Sequence, residues 1–285
     1  MRSILGAALA ACVATTPALA EDAPPDKSGY TLFNPTPDSA LRDFAPDRPG
    51  KAHGTTTLDA GRFQIETDFA NTTYFPARRP DPTVRAYTFG APMLKAGVTS
   101  FMDVQLVSTG LYNWQSARDA TGSSVAKGFG DTLLGTKVNL FGNDGGDQSM
   151  AFLAFAKIPT AARALGNGKP EYTFFLPFTT KLPQDFMLTL EPGYGSLRNS
   201  ANNGYRGDYT FAANLQHELF VKGLTGGLEI AAEWSAARKD RTKVSLDPML
   251  AYQITKNLQI DAGLYIGLNR ATPRYVAYTG FAYRF

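Results

Sequence analysis

The stretch Gly207-Asp208-Tyr209-Thr210-Phe211-Ala212-Ala213-Asn214-Leu215-Gln216-His217-Glu218-Leu219-Phe220 decides the fold. Tyr209, Phe211, Ala213, Leu215 and Leu219 share one face, and Asp208, Thr210, Asn214, Gln216 and Glu218 share the other. Side chains of an extended chain alternate sides, so this is a strand with one apolar and one polar face. Soluble strands average about five or six residues. This one is about twice that, the length that crosses a bilayer at a tilt.

The same texture recurs along the chain. In 258–270, Leu258, Ile260, Ala262, Leu264, Ile266 and Leu268 oppose Gln259, Asp261, Gly263 and Asn269. In 226–237, Leu228, Ile230, Ala232 and Trp234 oppose Glu229, Glu233 and Ser235. In 130–141, Thr132, Leu134, Val138 and Leu140 oppose Asp131, Lys137 and Asn139, and 274–285 sets Tyr275, Ala277, Phe281, Tyr283 and Phe285 against Arg284 and small residues. Such runs give twelve strands, at 55–70, 83–97, 101–114, 129–141, 149–160, 170–182, 185–198, 207–220, 225–237, 242–254, 258–270 and 274–285.

A soluble β-sandwich also alternates. Strand length, connections that alternate between short and long, and charges on the polar faces favour an all-β transmembrane antiparallel up-and-down β-barrel of about 12 strands. With the N-terminus periplasmic, short turns fall at 98–100, 142–148, 183–184, 221–224 and 255–257. Outer loops fall at 71–82, 115–128, 161–169, 199–206, 238–241 and 271–273. Trp114 and Trp234 then lie near outer strand ends, where interfacial aromatics belong.

Composition narrows the function classes. The chain of 285 residues is 19% charged and rich in Gly and aromatics, unlike a disordered chain or a coiled coil. No apolar run of about 18 residues follows the N-terminal segment, which excludes helical spans. A net charge of +3 makes no case for nucleic acid, and two His with one Cys leave little for a metal site. No cofactor is implied.

Residues 1–20 read as a signal peptide: Met1-Arg2, an apolar stretch from Ile4 to Ala14, and the small-x-small site Ala18-Leu19-Ala20. Leu9-Ala10-Ala11-Cys12 also fits a lipoprotein pattern, but its apolar core is short; simple cleavage removes Cys12 and leaves a mature chain without a thiol. Residues 21–54 are Pro-rich (Pro24, Pro25, Pro35, Pro37, Pro46, Pro49) and form a candidate plug or periplasmic extension before a barrel at 55–285.

Alternation names the inward candidates: Glu66, Asp68, Asp131, Lys137, Lys157, Glu171, Glu191, Glu218, Glu229, Glu233 and Asp261. A charge facing lipid near the midplane costs about 2–4 kcal/mol, so these belong inside. They either select permeants or pair across the lumen and fill it. If Arg85 and Lys95 point inward, then Tyr87, Phe89 and Met93 do too; Phe155 shares a face with Lys157, and Phe175 with Glu171 and Lys181. Such aromatics suit a hydrophobic permeant or packing against a plug. The outer loops are basic, notably at Arg78, Arg79, Arg118, Arg238, Lys239 and Arg241. Arg and Lys clusters suit phosphates, so outer-membrane lipid and lipopolysaccharide are the expected partners, with steering of anionic solutes as the alternative.

Phe281-Ala282-Tyr283-Arg284-Phe285 resembles the C-terminal signal read by the barrel assembly machinery. Asp47-Arg48-Pro49 followed by Asp59-Ala60-Gly61-Arg62-Phe63-Gln64-Ile65-Glu66 resembles the opening of a bacterial outer-membrane family named for the meta-pathway of phenol degradation and labelled as transporters. Phe129-Gly130-Asp131-Thr132 and Ala156-Lys157-Ile158-Pro159-Thr160 resemble its middle signatures, whereas Arg62 stands where many members have His. The resemblance implies an outer-membrane barrel that passes aromatic or other hydrophobic compounds.

Enzyme motifs fail. A barrel lipase or deacylase needs a Ser, a His base and an acid within reach; His53 precedes the first strand and His217 lies on an apolar face. Asn143-Asp144-Gly145-Gly146-Asp147 lacks the further acids of a calcium loop, and Gly223 to Gly227 lacks the Lys-Ser/Thr of a phosphate loop. The expected function is a passive outer-membrane channel or transporter for a small-molecule permeant; a closed structural barrel is the alternative, and a lipid-modifying enzyme the third.

Overall fold

The computed structural model describes residues 26–77, 82–199, 201–237 and 241–285. Its strands are β1 (Phe63–Phe75), β2 (Thr83–Phe89 and Met93–Thr99), β3 (Met102–Ser108 and Tyr112–Arg118), β4 (Ser123–Gly128 and Thr132–Phe141), β5 (Gln148–Ile158) and β6 (Glu171–Phe175 and Phe178–Lys181). They continue with β7 (Met187–Arg198), β8 (Tyr205–Glu218), β9 (Leu224–Ser235), β10 (Lys243–Thr255), β11 (Leu258–Gly267) and β12 (Tyr275–Arg284). Each strand pairs antiparallel with its neighbours in sequence, and β1 pairs with β12 from Gln64↔Arg284 to Tyr74↔Tyr275, which closes a twelve-stranded barrel. Phe63 and Phe285 exchange two backbone hydrogen bonds at the end of that seam.

The interior is inverted relative to a soluble domain. Leu134, Leu215, Leu228, Ile230, Ile260 and Leu264 are exposed on the outside, while Glu66, Lys95, Asp103, Lys137, Asn214, Glu229 and Asp247 are buried inside. That is the solution for a chain whose surroundings are apolar and whose lumen is polar. The apolar cluster within is small: Ala151, Leu153 and Phe155, backed by Val107, Leu133 and Phe175.

Kinks in β2, β3 and β4 lie side by side. Leu111 donates to the Gly90 carbonyl, Gly130 to Gly110, and Thr109 to Asp131, so the three breaks support one another. Gly110 has φ of +146°, and a Cβ there would sit 2.4 Å from the Asn113 side chain; no other residue fits. In β6, Leu176-Pro177 breaks the ladder because proline has no donor.

Several boundaries differ from the sequence reading. The first strand starts at Phe63, not at 55; residues 55–62 run inside the barrel, and Asn71–Phe75 are strand rather than loop. The expected outer loop at 115–128 is mostly a hairpin, with Tyr112–Arg118 paired to Ser123–Gly128. Alternation across that hairpin is short and serine-rich, so it lacked an apolar signature. The last two outer connections are longer than expected, because β9 ends at Ser235 and β11 at Gly267. Residues 1–25, which include the expected signal peptide and Cys12, lie outside the described residues.

Residues 26–62 form an inner segment. It begins at the short-turn end, where Lys27 pairs with Asp59 and Asp144, and rises into the lumen. It then returns to the same end before β1. Its prolines, Pro35, Pro37, Pro46 and Pro49, deny it a regular ladder.

Candidate functional site

From residue 42 to 58 the amides of the inner segment bond side-chain acceptors, and the wall supplies carboxylates. Glu66 accepts from the amides of Asp47 and Arg48 at 3.2 and 3.1 Å. Glu229 accepts from those of Lys51 and Ala52, both at 2.9 Å, and Glu191 from that of His53 at 2.9 Å and from its ring Nδ1. Asp103 accepts from Leu58 at 3.0 Å. Three glutamates on distant strands thus each clamp two donors of residues 47–53. Such charge-assisted bonds are the strong ones, and all but the one to the His53 ring act on backbone, whatever side chain the segment carries.

The segment's own charges answer those of the wall. Asp47 pairs with Lys137 at 2.6 Å and Lys95 at 2.5 Å, and Lys95 also pairs with Glu66. Burial pushes the Asp47 carboxyl up, but Lys137 and Lys95 outweigh it and hold it far below the usual range. Arg48 lies between Asp68 at 2.5 Å and Asp261 at 2.6 Å. The Pro49 carbonyl accepts from the hydroxyls of Tyr278 at 2.7 Å and Tyr265 at 3.3 Å. Lys51 Nζ donates to Asp247 at 2.8 Å and sits 4.2 Å above the Tyr265 ring. Buried ion pairs contribute little net stability, yet removing one partner is costly, so they fix position.

Two cavities flank the segment. The larger, about 640 Å³, opens toward the long loops and is lined by Phe75, Phe175, Tyr265, Ala231, Lys51 and the exposed Glu233–Lys243 pair, among others. The smaller, about 300 Å³, lies on the short-turn side under residues 44–49 and 53–56. His53 lines both. Its ring packs 4.8 Å from Phe175 and 5.9 Å from Phe155.

The structure places the sequence candidates unequally. Glu66, Asp68, Lys137, Glu191, Glu229 and Asp261 all bond the inner segment. Asp131, Lys157 and Glu171 form a separate group: Lys157 joins the other two at 3.4 and 2.6 Å beside the β4 kink, and Asp131 also accepts from Ala161 of the following loop. Glu233 is at the rim. Glu218 has the inward register but is exposed at the short-turn end, where it accepts from Gly223 of its own turn, so it lines no lumen. The kink at 90–92 resets the register of β2: Lys95 is inward, whereas Arg85, Tyr87 and Phe89 are outward and exposed. Lys181, the last residue of β6, is likewise exposed at the short-turn end and paired with Asp185. Arg118 and Arg241 are exposed; Arg78, Arg79, Arg238 and Lys239 lie outside the described residues.

Arg48, Lys51, His53, Asp103, Asn214, Asp247, Tyr265 and Tyr278 escaped the sequence reading as site residues. One signal was available. The inward acids outnumber the inward bases of the wall, so cations had to come from elsewhere. The Pro-rich segment carries them.

His217 Nε2 donates to the Gln184 carbonyl at 2.9 Å, and its ring packs on Phe186. Asp144 of the glycine-rich turn bonds Arg42 and Lys27.

A family model described as "Putative MetA-pathway of phenol degradation" matches residues 46–285. The chain belongs to this family. Its first quoted motif, Asp47-Arg48-Pro49, is the clamped part of the inner segment, and Phe129-Gly130-Asp131-Thr132 is the β4 kink. Arg62 bonds the Thr36 carbonyl and pairs with Asp38. Among solved structures, an outer-membrane channel from Pseudomonas putida F1 is similar at 14% identity, with a TM-score of 0.58, covering 84% of this chain and 99% of that one. A KdgM porin aligns at 13% identity and a TM-score of 0.48, covering 78% and 99%. No curated protein matches in sequence. The fold is that of outer-membrane channel barrels.

Proposed function

We propose that this protein is a passive outer-membrane channel for small apolar or aromatic compounds, with its short-turn end in the periplasm and residues 1–20 acting as its export leader. One observation carries the reading: two cavities, one toward each end of the barrel, share His53 in their lining, and the outer one presents Phe75, Phe175 and Tyr265 to its contents. A cavity of about 640 Å³ is of the size that holds a small organic molecule. The inner segment sets the constriction. No reaction is assigned to the protein.

The test is single-channel conductance and liposome flux of the refolded mature chain, with and without residues 21–53. Flux of phenol-like solutes that grows when the segment is deleted supports the channel and makes the segment its plug. A closed structural barrel is favoured by the number of bonds that hold the segment, and silence of both forms in both assays would establish it instead.

A further inference from the structure

The outward face of β1 to β4 near the long loops carries three cations on successive rungs, the lowest of them level with the upper aromatics. The register places it rung by rung. Thr83, Arg118 and Ser123 form the outermost rung; Tyr275, Tyr74, Arg85, Ser116 and Val125 form the next. Below them come Thr72, Tyr87, Trp114 and Lys127, and then Phe89 with Tyr112. Inward neighbours fix the sense of the face: Asn71 bonds Asp68, and Phe75 lines the cavity, so Thr72 and Tyr74 point out, and their partners with them.

Tyr87 and Trp114 pack at 5.5 Å, Phe89 and Tyr112 at 6.4 Å, and Tyr74 and Tyr275 at 5.6 Å. Aromatic belts of this kind mark the level where acyl chains meet headgroups. Arg85, one rung above Tyr87, stacks 5.8 Å from the Tyr74 ring. Arg85, Arg118 and Lys127 are all exposed, and among the described residues none of them makes an ion pair. The acid beside Arg118 is occupied elsewhere: Asp119 accepts from the Thr121 and Gly122 amides at 2.7 and 3.1 Å. Arg118 is the diagonal neighbour of Arg85 across the β2–β3 pair, about 7–8 Å away, and Lys127 lies on the next strand, level with Trp114. Long basic side chains can cover that spacing while their stems lie on the aromatics.

We propose that Arg85, Arg118 and Lys127 bind the phosphates of one phosphorylated glycolipid of the outer leaflet, whose acyl chains lie against Tyr87, Trp114, Phe89 and Tyr112. Guanidinium forks suit phosphate oxygens; Arg118 and Arg85 stand on the rungs above Tyr87 and Trp114, and Lys127, on the rung of those aromatics, can extend its long side chain to the same depth. This surface is independent of the lumen and of what passes through it.

The experiment is a titration of the full mature barrel with vesicles containing bisphosphorylated lipid A, compared with vesicles of the dephosphorylated lipid. The triple variant R85Q/R118Q/K127Q loses at least tenfold in affinity for the phosphorylated lipid. A control with K181Q/K222Q/K256Q, all exposed at the other end, keeps it. Heat-modifiability on gels verifies that both variants are closed barrels, and single substitutions replace the triple should it fail to close. Unchanged affinity in the closed triple variant, or equal binding of the dephosphorylated lipid by the unaltered protein, overturns the proposal.

Discussion

In the wall, neighbouring strands satisfy each other's backbone, and the side chains only choose a face. Along residues 42–58 of the inner segment the amides bond side chains instead, contributed by strands as far as 138 residues away at Glu191 and 178 at Glu229. The first arrangement is regular and tolerant, because a ladder bond survives most substitutions. The second is irregular and brittle, because each glutamate holds two donors and has no understudy. The wall is therefore expected to keep its form when the lumen is altered, and the segment is not.

The sharpest way to break that contrast is to neutralise all three clamps. Glu66→Gln, Glu191→Gln and Glu229→Gln together should raise conductance at least tenfold, toward that of the deletion, and expose residues 45–55 to protease. The barrel should still migrate as a closed form. Unfolding of the barrel in parallel would mean that wall and segment are one cooperative unit.

A single clamp gives a smaller effect. Glu229→Ala leaves the Lys51 and Ala52 amides without an acceptor in a buried place. About 2 kcal/mol of docking free energy is lost, or about thirty-fold in protection of those two amides. Hydrogen exchange reads this directly; unchanged protection would show that water replaces the carboxylate at no cost.

Proton uptake should tune the same docking more gently. Burial opposes a charge on His53, but Glu191 at its ring, with Asp47 beyond and Lys137 working against them, raises its pKa above the ordinary 6.5. The docked segment therefore holds the proton more tightly than the released one. This contribution is complete below the ordinary value and is lost as pH climbs through the docked-state value. Conductance should rise from neutral to alkaline pH, and His53→Gln should flatten the profile. A wild-type profile that falls with pH would reverse the assignment.

The weakest effect belongs to the rim. Glu233 and Lys243, with side chains 41% and 48% exposed, form a pair that is screened by solvent. Replacing both by Gln should change barrel stability by less than about 1 kcal/mol, measured as the denaturant midpoint.

These differences also explain what could be read beforehand. β8 to β12 are unbroken and alternate cleanly, so period two located them and put Glu229 and Asp261 inside. The register failed at the Gly90-Ala91-Pro92 kink, where the break flips every later side chain, whereas the breaks in β3 and β6 preserve it. Glu218 failed for another reason: alternation gives a side but no depth, and this residue lies past the end of the lumen. The partners of Arg48 and Lys51 were illegible because a carboxylate clamp leaves no period in either sequence. Only the charge balance between two distant regions hints at it.

The inner segment leaves and rejoins the short-turn end, with Lys27 and Asp59 paired at its base. Topologically it is a finger in a thimble. It can be drawn out or pushed back without threading a terminus through the barrel and without breaking a ladder bond of any strand. A pull applied from outside that base would have to undo the segment's own bonds to the lumen wall, from the backbone bonds of Leu32 to Val98 and Gly61 to Gly97 to the clamps and ion pairs of residues 47–58, while the ladder between wall strands stays paired. The same molecule can therefore combine a permanent shell with a removable stopper.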